Sequence, residues 1–392
     1  SIRERDERDR TVVIHRASVG CELCTGFIAG RDSKRRWVSL WMCSWNSPLI
    51  ERQVTTMSTA TIHGMSVPLN SFGCPSSSCA STPDMEARAS LSAALRSATS
   101  GRLDQALEYA RDAYDSEEAS IELRLEAAKL CIDWHAALGD YGKCRVLAAG
   151  AAHLGTSYLE RDHPLILMLR NSEAYWLAIL GDADMSARKF SALVADVRNN
   201  PSLDPQLAFA IRNNSAMPWK NTGKWSRAAR VYRELLTDME PLCDEEDMTV
   251  LTVRDNLAEV LSADRQYEEA IRLYERNLQA LLHVADRGDW RVLRLRNEIA
   301  RNTWMGGDRV AGEGLWTVLA EDCRRYLGDR DEFTARIRTI LLTLAILRGD
   351  DDTAMSIARK LKADHPDDWD ECDMTEAVEL LAEAGISPQD FQ

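Results

Sequence analysis

Side chains that could pair with a peptide backbone recur at a regular interval in this sequence. Four positions spaced 42 residues apart carry Asn or Asp: Asn171, Asn213, Asp255 and Asn297. Asn and Asp are mediocre helix formers, so their return at one interval needs a reason beyond local helix stability. An Asn carboxamide has one acceptor and two donors, which can pair with the C=O and N–H of an extended peptide. The alternative is that these side chains are solvated or cap neighbouring loops.

A row of arginines, here called the arginine ladder, follows the same interval one position earlier: Arg170, Arg212, Arg254, Arg296 and Arg338. One position is about 100 degrees round a helix, which points these residues partly into the seam between repeat units. A guanidinium fork there could hold an acidic side chain or the C-terminal carboxylate of a ligand. The structural alternative is that each arginine pairs with an acidic residue of the next unit.

Catalytic and metal-binding patterns find little support. The sequence has no HExxH, no GxSxG and no Gly-rich phosphate loop, and its seven histidines are dispersed. The thiols of Cys21 and Cys24 are spaced for zinc or disulfide exchange, but no second pair follows at a suitable distance. The acidic runs 244–247 and 364–373 are typical of solvated loops and helix starts. We therefore predict no enzymatic activity, no cofactor and no metal.

The helices that position these residues are separated by turns that recur at the same 42-residue interval, here called the grid. Glycines lie 42 residues apart at Gly139, Gly181, Gly223, Gly307 and Gly349, and Arg265 takes the place of one. Small residues stand five positions after the turns, as at Ala228 and Ala270, and aromatic residues stand nine positions after, as at Tyr232 and Tyr274. Small residues beside a tight turn let two antiparallel helices approach closely, and the aromatic residue fills the gap to the next pair. Each unit is therefore predicted to be a helix, a turn and a second helix.

The predicted fold is all-α, a right-handed helical-repeat solenoid of about seven antiparallel helix pairs with a C-terminal capping helix. The turns fall near residues 101, 139, 181, 223, 265, 307 and 349. The repeat domain spans 85–392, and the capping helix lies near 374–384. Residues 1–84 lack a sustained period and are expected to be irregular or disordered.

Composition narrows the class of partner. The chain of 392 residues has 48 basic and 62 acidic residues and a net charge of -14, which argues against nucleic acid as a partner. No apolar run approaches the ~18 residues of a membrane span, so we expect a cytoplasmic protein without a membrane contact.

The grid resembles the tetratricopeptide repeat family, in particular the 42-residue kinesin-light-chain type and related actinobacterial arrays. The phrases 161–182 (RDHPLILMLRNSEAYWLAILGD), 211–216 (IRNNSA), 253–258 (VRDNLA) and 326–338 (YLGDRDEFTARIR) carry the likeness, which covers about residues 86–363. The resemblance implies that the first helix of each pair lines a concave face that binds a peptide.

Positions ten, six and three before each turn share one helix face. Before the turns at 181, 223, 265 and 307 these positions hold twelve residues on the concave side, of which Ala178 and Ser262 are small. The other ten are the candidate peptide-binding residues: Asn171, Tyr175, Asn213, Met217, Lys220, Asp255, Glu259, Asn297, Arg301 and Trp304. The resemblance favours a module that holds an extended peptide or partner segment. The alternative is a scaffold that self-associates as a homo-oligomer without a peptide ligand.

Overall fold

The computed structural model describes residues 82–364, where the secondary structure is helical and no strand is present. The expected irregular segment, apart from residues 82–84, and the expected capping helix lie outside this range. The first helix begins at Thr82, three residues before the predicted boundary. The helices are α1 Thr82–Thr99, α2 Leu103–Asp115, α3 Ile121–Ala137, α4 Tyr141–Gly155, α5 Pro164–Ile179, α6 Ala183–Arg198, α7 Pro205–Asn214, α8 Met217–Asn221, α9 Trp225–Met239, α10 Met248–Ala263, α11 Tyr267–Val284, α12 Trp290–Met305, α13 Arg309–Tyr326, α14 Glu332–Arg348 and α15 Asp351–Asp364.

The described residues form two compact units, 82–235 and 236–364, here called unit 1 and unit 2. Unit 1 contains the pairs α1/α2, α3/α4 and α5/α6, and then α7 and α8 with most of α9. Unit 2 contains the pairs α10/α11, α12/α13 and α14/α15. The helices of six predicted pairs pack against each other: α1/α2, α3/α4, α5/α6, α10/α11, α12/α13 and α14/α15. In the fourth pair, α7 and α8 pack against α5 and α6.

The turns occur where the grid places them. The residue at each of the seven predicted turn positions has a positive φ, between 62° at Arg265 and 110° at Gly307. A left-handed backbone costs a side chain about 1–2 kcal/mol, which explains the repeated glycine. Arg265 is the exception, because it adopts φ 62° with a Cβ present. The grid predicts the turn there even though the residue type does not.

Small residues make the helices of a pair touch. Ser186 is fully buried and its hydroxyl donates to the C=O of Ala174, 2.7 Å away on the preceding helix. A Cβ built on Gly312 would lie 2.6 Å from the Cβ of Trp304, so no larger residue fits without movement. The aromatic positions close the gaps as predicted, because the four side chains are almost completely buried: Phe190, Tyr232, Tyr274 and Trp316.

Aspartates begin many of the helices. Asp182, Asp247 and Asp331 each occupy the N-cap and accept hydrogen bonds from backbone N–H groups of the first turn. His163 caps α5 in the same way, and Pro164 takes the first helical position. Part of the acidity therefore serves helix initiation, as expected for the run 244–247.

The fourth pair departs from the prediction of one continuous first helix. The helix ends at Asn214 and resumes at Met217, because Pro218 has no N–H to donate and its ring excludes a regular helix. Met217 and Lys220 therefore do not continue the helical face of Asn213.

We expect Arg265→Gly to raise the free energy of unfolding of unit 2 by about 0.5–1.5 kcal/mol. The glycine removes the left-handed strain, and its greater freedom in the unfolded chain offsets part of the gain. Chemical denaturation followed by circular dichroism measures the change. As a control, Arg272→Gly at an exposed position inside α11 should lower stability by about 1 kcal/mol. Destabilisation by Arg265→Gly would contradict this assignment of strain.

Candidate functional site

Three carboxamides meet on the first helices of unit 1. The Nδ2 of Asn214 donates to the Oδ1 of Asn171 over 3.3 Å, and the Nδ2 of Asn213 donates to the Oδ1 of Asn214 over 3.2 Å. All three side chains are half-buried. We call this group the amide cluster. Two of the predicted peptide-binding residues, Asn171 and Asn213, are thus joined through a third amide.

The segment after the break in the first helix of the fourth pair makes further polar contacts with α5. The Nδ2 of Asn221, just before the turn, donates to the C=O of Ala178 near the end of α5 over 2.8 Å. Burial raises the pKa of Tyr175, and the nearby Lys220 opposes the shift, which places these two predicted residues close together. Met217 is half-buried beside the break.

Unit 2 carries a cluster of charges on its first helices. The Nη2 of Arg294 lies 2.8 Å from Asp255 Oδ1 across α12 and α10, and the Nε of Arg301 donates to Glu298 over 3.0 Å. We call these four residues the charged cluster. The predicted residue Glu259 is half-buried and lies within electrostatic reach of Arg301.

The charges of this cluster are coupled. Burial raises the pKa of Asp255, and the guanidinium of Arg294 opposes that shift. Burial disfavours the cation of Arg301, but Glu298, Tyr274 and Glu259 together outweigh it and raise the pKa of Arg301. Because both arginines are only slightly exposed, their charges remain near the surface yet largely shielded from water.

The structure contradicts the expectation that Asn297 reaches a ligand. Its side chain is buried, with 4% of its surface exposed, and its Oδ1 accepts a hydrogen bond of 2.8 Å from the Nε1 of Trp316. The other described aromatic plugs are Phe or Tyr, whereas the indole N–H of Trp316 needs a buried acceptor. Trp304 also packs locally, with the Arg309 guanidinium 5.2 Å from its ring centroid.

Four arginines of the ladder have partners in the second helix of their own pair, not in the next repeat as the structural alternative proposed. Arg170, Arg296 and Arg338 pair with Asp196, Asp322 and Asp364 over 2.6, 2.7 and 2.7 Å. Each aspartate lies 26 residues further on, in the second helix of the same pair.

Arg254 uses other partners, because Ala280 stands at the 26-residue position. Its guanidinium donates to Asn277 over 3.0 Å and to Glu245 over 2.8 Å, and burial lowers its pKa. Arg212 is half-buried at the equivalent place in α7, with Asp238 in the 26-residue position. Four members of the ladder thus link their own pair, which leaves less of each guanidinium for a ligand.

Sequence reasoning missed Asn221, Arg294 and Glu298. The only signal for Asn221 was Pro218, three residues before it, which interrupts the helix. Arg294 and Glu298 stand thirteen and nine positions before the turn at Gly307, so they fall outside the three positions from which the concave face was predicted.

Two features are absent from the part of the chain that the structure describes. Within 82–364, no group of three or more His, Cys, Asp or Glu side chains is arranged to hold a metal ion. In that same range no helix combines the length and apolarity needed to cross a bilayer.

Comparison with solved structures supports the fold derived above. The crystal structure of the apo form of RapI is 9% identical, covers 92% of this chain and 99% of its own, and gives a TM-score of 0.51. The chain therefore shares the overall fold of that protein. A putative kinesin light chain repeat protein from Podosopora anserina is 17% identical, with 52% of this chain and 96% of that chain covered and a TM-score of 0.46.

A third solved structure is BtubC from P. vanneervenii, which is 20% identical, with 64% of this chain and 94% of its own covered and a TM-score of 0.48. No protein-family model matches the sequence, and the comparison with curated proteins gives no significant match. The comparisons therefore name no ligand for these repeats, and the side chains of the repeats are the basis for proposing one.

We expect Asn297→Ala to lower the free energy of unfolding by about 1–3 kcal/mol, because it leaves the buried indole N–H of Trp316 without an acceptor. Asn171→Ala is the matched control, and its effect should stay within about 1 kcal/mol because the site is partly solvated. Denaturant titrations measure both changes. With Trp316→Phe as background, Asn297→Ala should cost less, and equal costs in both backgrounds would refute the proposed hydrogen bond.

Proposed function

We propose that this chain is a protein-binding repeat module, and that unit 1 holds an extended peptide segment against the amide cluster. The observation that carries the proposal is the hydrogen-bonded chain of half-buried carboxamides from Asn213 through Asn214 to Asn171. A peptide backbone exposes one N–H and one C=O at most residues, which are the partners that carboxamides take.

The amides are arranged before any ligand arrives. Each carboxamide that bonds to its neighbour has a restricted rotamer, so binding orders fewer side chains and loses less entropy. The helix break supports this arrangement, because Asn221 ties the segment after Pro218 to Ala178 on α5. Recognition of this kind depends on the backbone of the ligand more than on its sequence.

Side chains next to the amide cluster would contact the side chains of the bound peptide. Met217 is flexible and apolar and can adapt to different side chains. Tyr175 offers an aromatic face with a hydroxyl, and Lys220 offers a cation. Together they favour peptides that alternate a polar or acidic residue with an apolar one.

The charged cluster of unit 2 would select by charge. It presents acids and arginines close together on α10 and α12, and like-charge contacts reject wrong partners more strongly than correct pairs attract. We therefore assign unit 1 to backbone contact and unit 2 to discrimination between partner segments.

The test begins with peptides selected from a random-sequence display library on the wild-type protein. For one selected peptide, Asn171→Ala with Asn213→Ala should raise Kd by about 5- to 150-fold, because each lost hydrogen bond is worth about 0.5–1.5 kcal/mol. Titration calorimetry gives Kd, and a thermal melt should stay close to wild type. Gln279→Ala removes an exposed carboxamide of α11 and is the control that should leave Kd unchanged.

N-methylation of the selected peptide at alternating residues gives an independent arm, since it removes backbone donors and keeps the side chains. Weaker binding of the methylated peptide supports backbone recognition. Unchanged Kd for the double variant would rule out the amide cluster as the binding site.

The second candidate function is the self-associating scaffold. It is favoured by an apolar outer face on α13, where Val310 is 85% and Val318 57% exposed and Gly314 has open space beside it. A library that yields no peptide, together with an oligomer in sedimentation that Val318→Asp dissociates, would favour this alternative.

A further inference from the structure

A groove lies in unit 2, on the side of the second helices of the pairs. It has a volume of about 280 Å³ and runs between α13 and α15, with α14 beneath it. Ala320, Leu341 and Ile357 give it an apolar interior, and Arg324 and Lys360 stand at its rim. The groove shares none of the residues of the amide cluster or the charged cluster, so it is a separate candidate binding site.

The rim cations have only weak partners within the groove. Arg324 pairs with Glu321 on its own helix, and both side chains are well exposed. Lys360 Nζ lies 3.7 Å from Asp329 and is half-exposed. Exposed ion pairs contribute about 0–1 kcal/mol, so either cation can accept a second carboxylate at little cost.

Arg338 behaves differently. Its guanidinium is buried between Asp329 and Asp364 and forms part of the groove floor as a structural ion pair. Ligand binding therefore depends on the two rim cations and on the apolar interior, and a suitable occupant combines carboxylates with apolar side chains.

Such a segment follows α15 directly in the sequence. Residues 365–392 contain nine Asp or Glu and no Lys or Arg, and five of these acids fall within 367–373. Trp369 and Met374 stand among them and supply apolar groups. Residues 234–253 also hold seven Asp or Glu and no Lys or Arg, but Asp247 caps α10 and Glu245 pairs with Arg254 and Arg276. The charge and the apolar content both complement the groove.

The stretch that follows α15 is long enough to reach the groove. Lys360 precedes Asp364 by one helical turn, which is about 6 Å along α15. Each further residue extends a chain by up to about 3.3 Å, so the six residues from Asp364 to Asp370 can span about 20 Å. Covalent attachment gives the segment an effective concentration on the order of millimolar, which favours it over the same segment of a second copy.

We propose that the groove between α13 and α15 is an internal docking site for the acidic stretch 365–376 of the same chain. The rim cations Arg324 and Lys360 take its carboxylates, and the interior at Ala320, Leu341 and Ile357 takes an apolar side chain. An acidic segment of a partner protein has to displace this stretch to use the groove.

The experiment measures cleavage after Glu371 and Glu376 by a glutamyl endopeptidase in the full chain. In the wild type the rate should be at least ~10-fold below that of a synthetic peptide of residues 365–383, because protease attacks the undocked state. Arg324→Gln with Lys360→Gln should raise the rate toward that of the peptide, and so should high salt, which screens exposed charges. Lys143→Gln, at an exposed cation of unit 1, is the matched control and should leave the rate unchanged.

A wild-type rate equal to that of the peptide would overturn the proposal. So would protection that survives Arg324→Gln with Lys360→Gln, since the stretch would then lie elsewhere. Protection that disappears on dilution would assign the groove to a second copy and also contradict the proposal. If the double variant melts early, Asp367→Asn, Asp368→Asn and Asp370→Asn replace it, and these three changes together should raise the cleavage rate by the same factor.

Discussion

The close approach of two helices beside each left-handed turn is the constraint on which the rest of the structure depends. A small residue five positions after the turn, such as the fully buried Ser186 or Ala270, lets the second helix touch the first. That contact sets the gap that an aromatic residue four positions later fills. Repeating the arrangement every 42 residues presents equivalent positions of successive first helices to one side of each unit. The candidate ligand residues inherit their spacing from the packing, so function here depends on backbone geometry before any side chain is chosen.

The same constraint explains why equivalent positions carry different chemistry. In unit 1 three amides lie together on the helices that precede the break at Pro218, whereas unbroken first helices in unit 2 align two arginines with two acids. Ion pairs shielded from water are costly to separate, and a charged ligand has to offer matching groups to replace them. Amides carry no such penalty and bind a neutral backbone. One repeat scaffold thus carries an amide cluster in one unit and a charged cluster in the other without a change of fold.

The sequence predicts the fold well because the turn, the small residue and the aromatic residue are local requirements that repeat. The turn at Arg265 is predicted as well, since the 42-residue spacing is kept there although the residue is not glycine. The site is harder to predict because its geometry depends on pairs of positions. Asn297 is indistinguishable from Asn171 by spacing, and only the Trp at position 316 in place of Tyr or Phe turns it inward. The partners of the arginine ladder lie 26 residues on, a relation that the 42-residue period does not reveal.

The central claim is that a partner lies along the amide cluster on the first helices of unit 1. The most direct measurement is photo-crosslinking of a display-selected peptide to the full chain, with benzoylphenylalanine at Met217 beside the cluster or at Arg230 on the exposed side of α9. The account predicts a crosslinked adduct from position 217, competed by unlabelled peptide, and none from position 230. An adduct from position 230 alone, with position 217 silent and the peptide still bound, would contradict it.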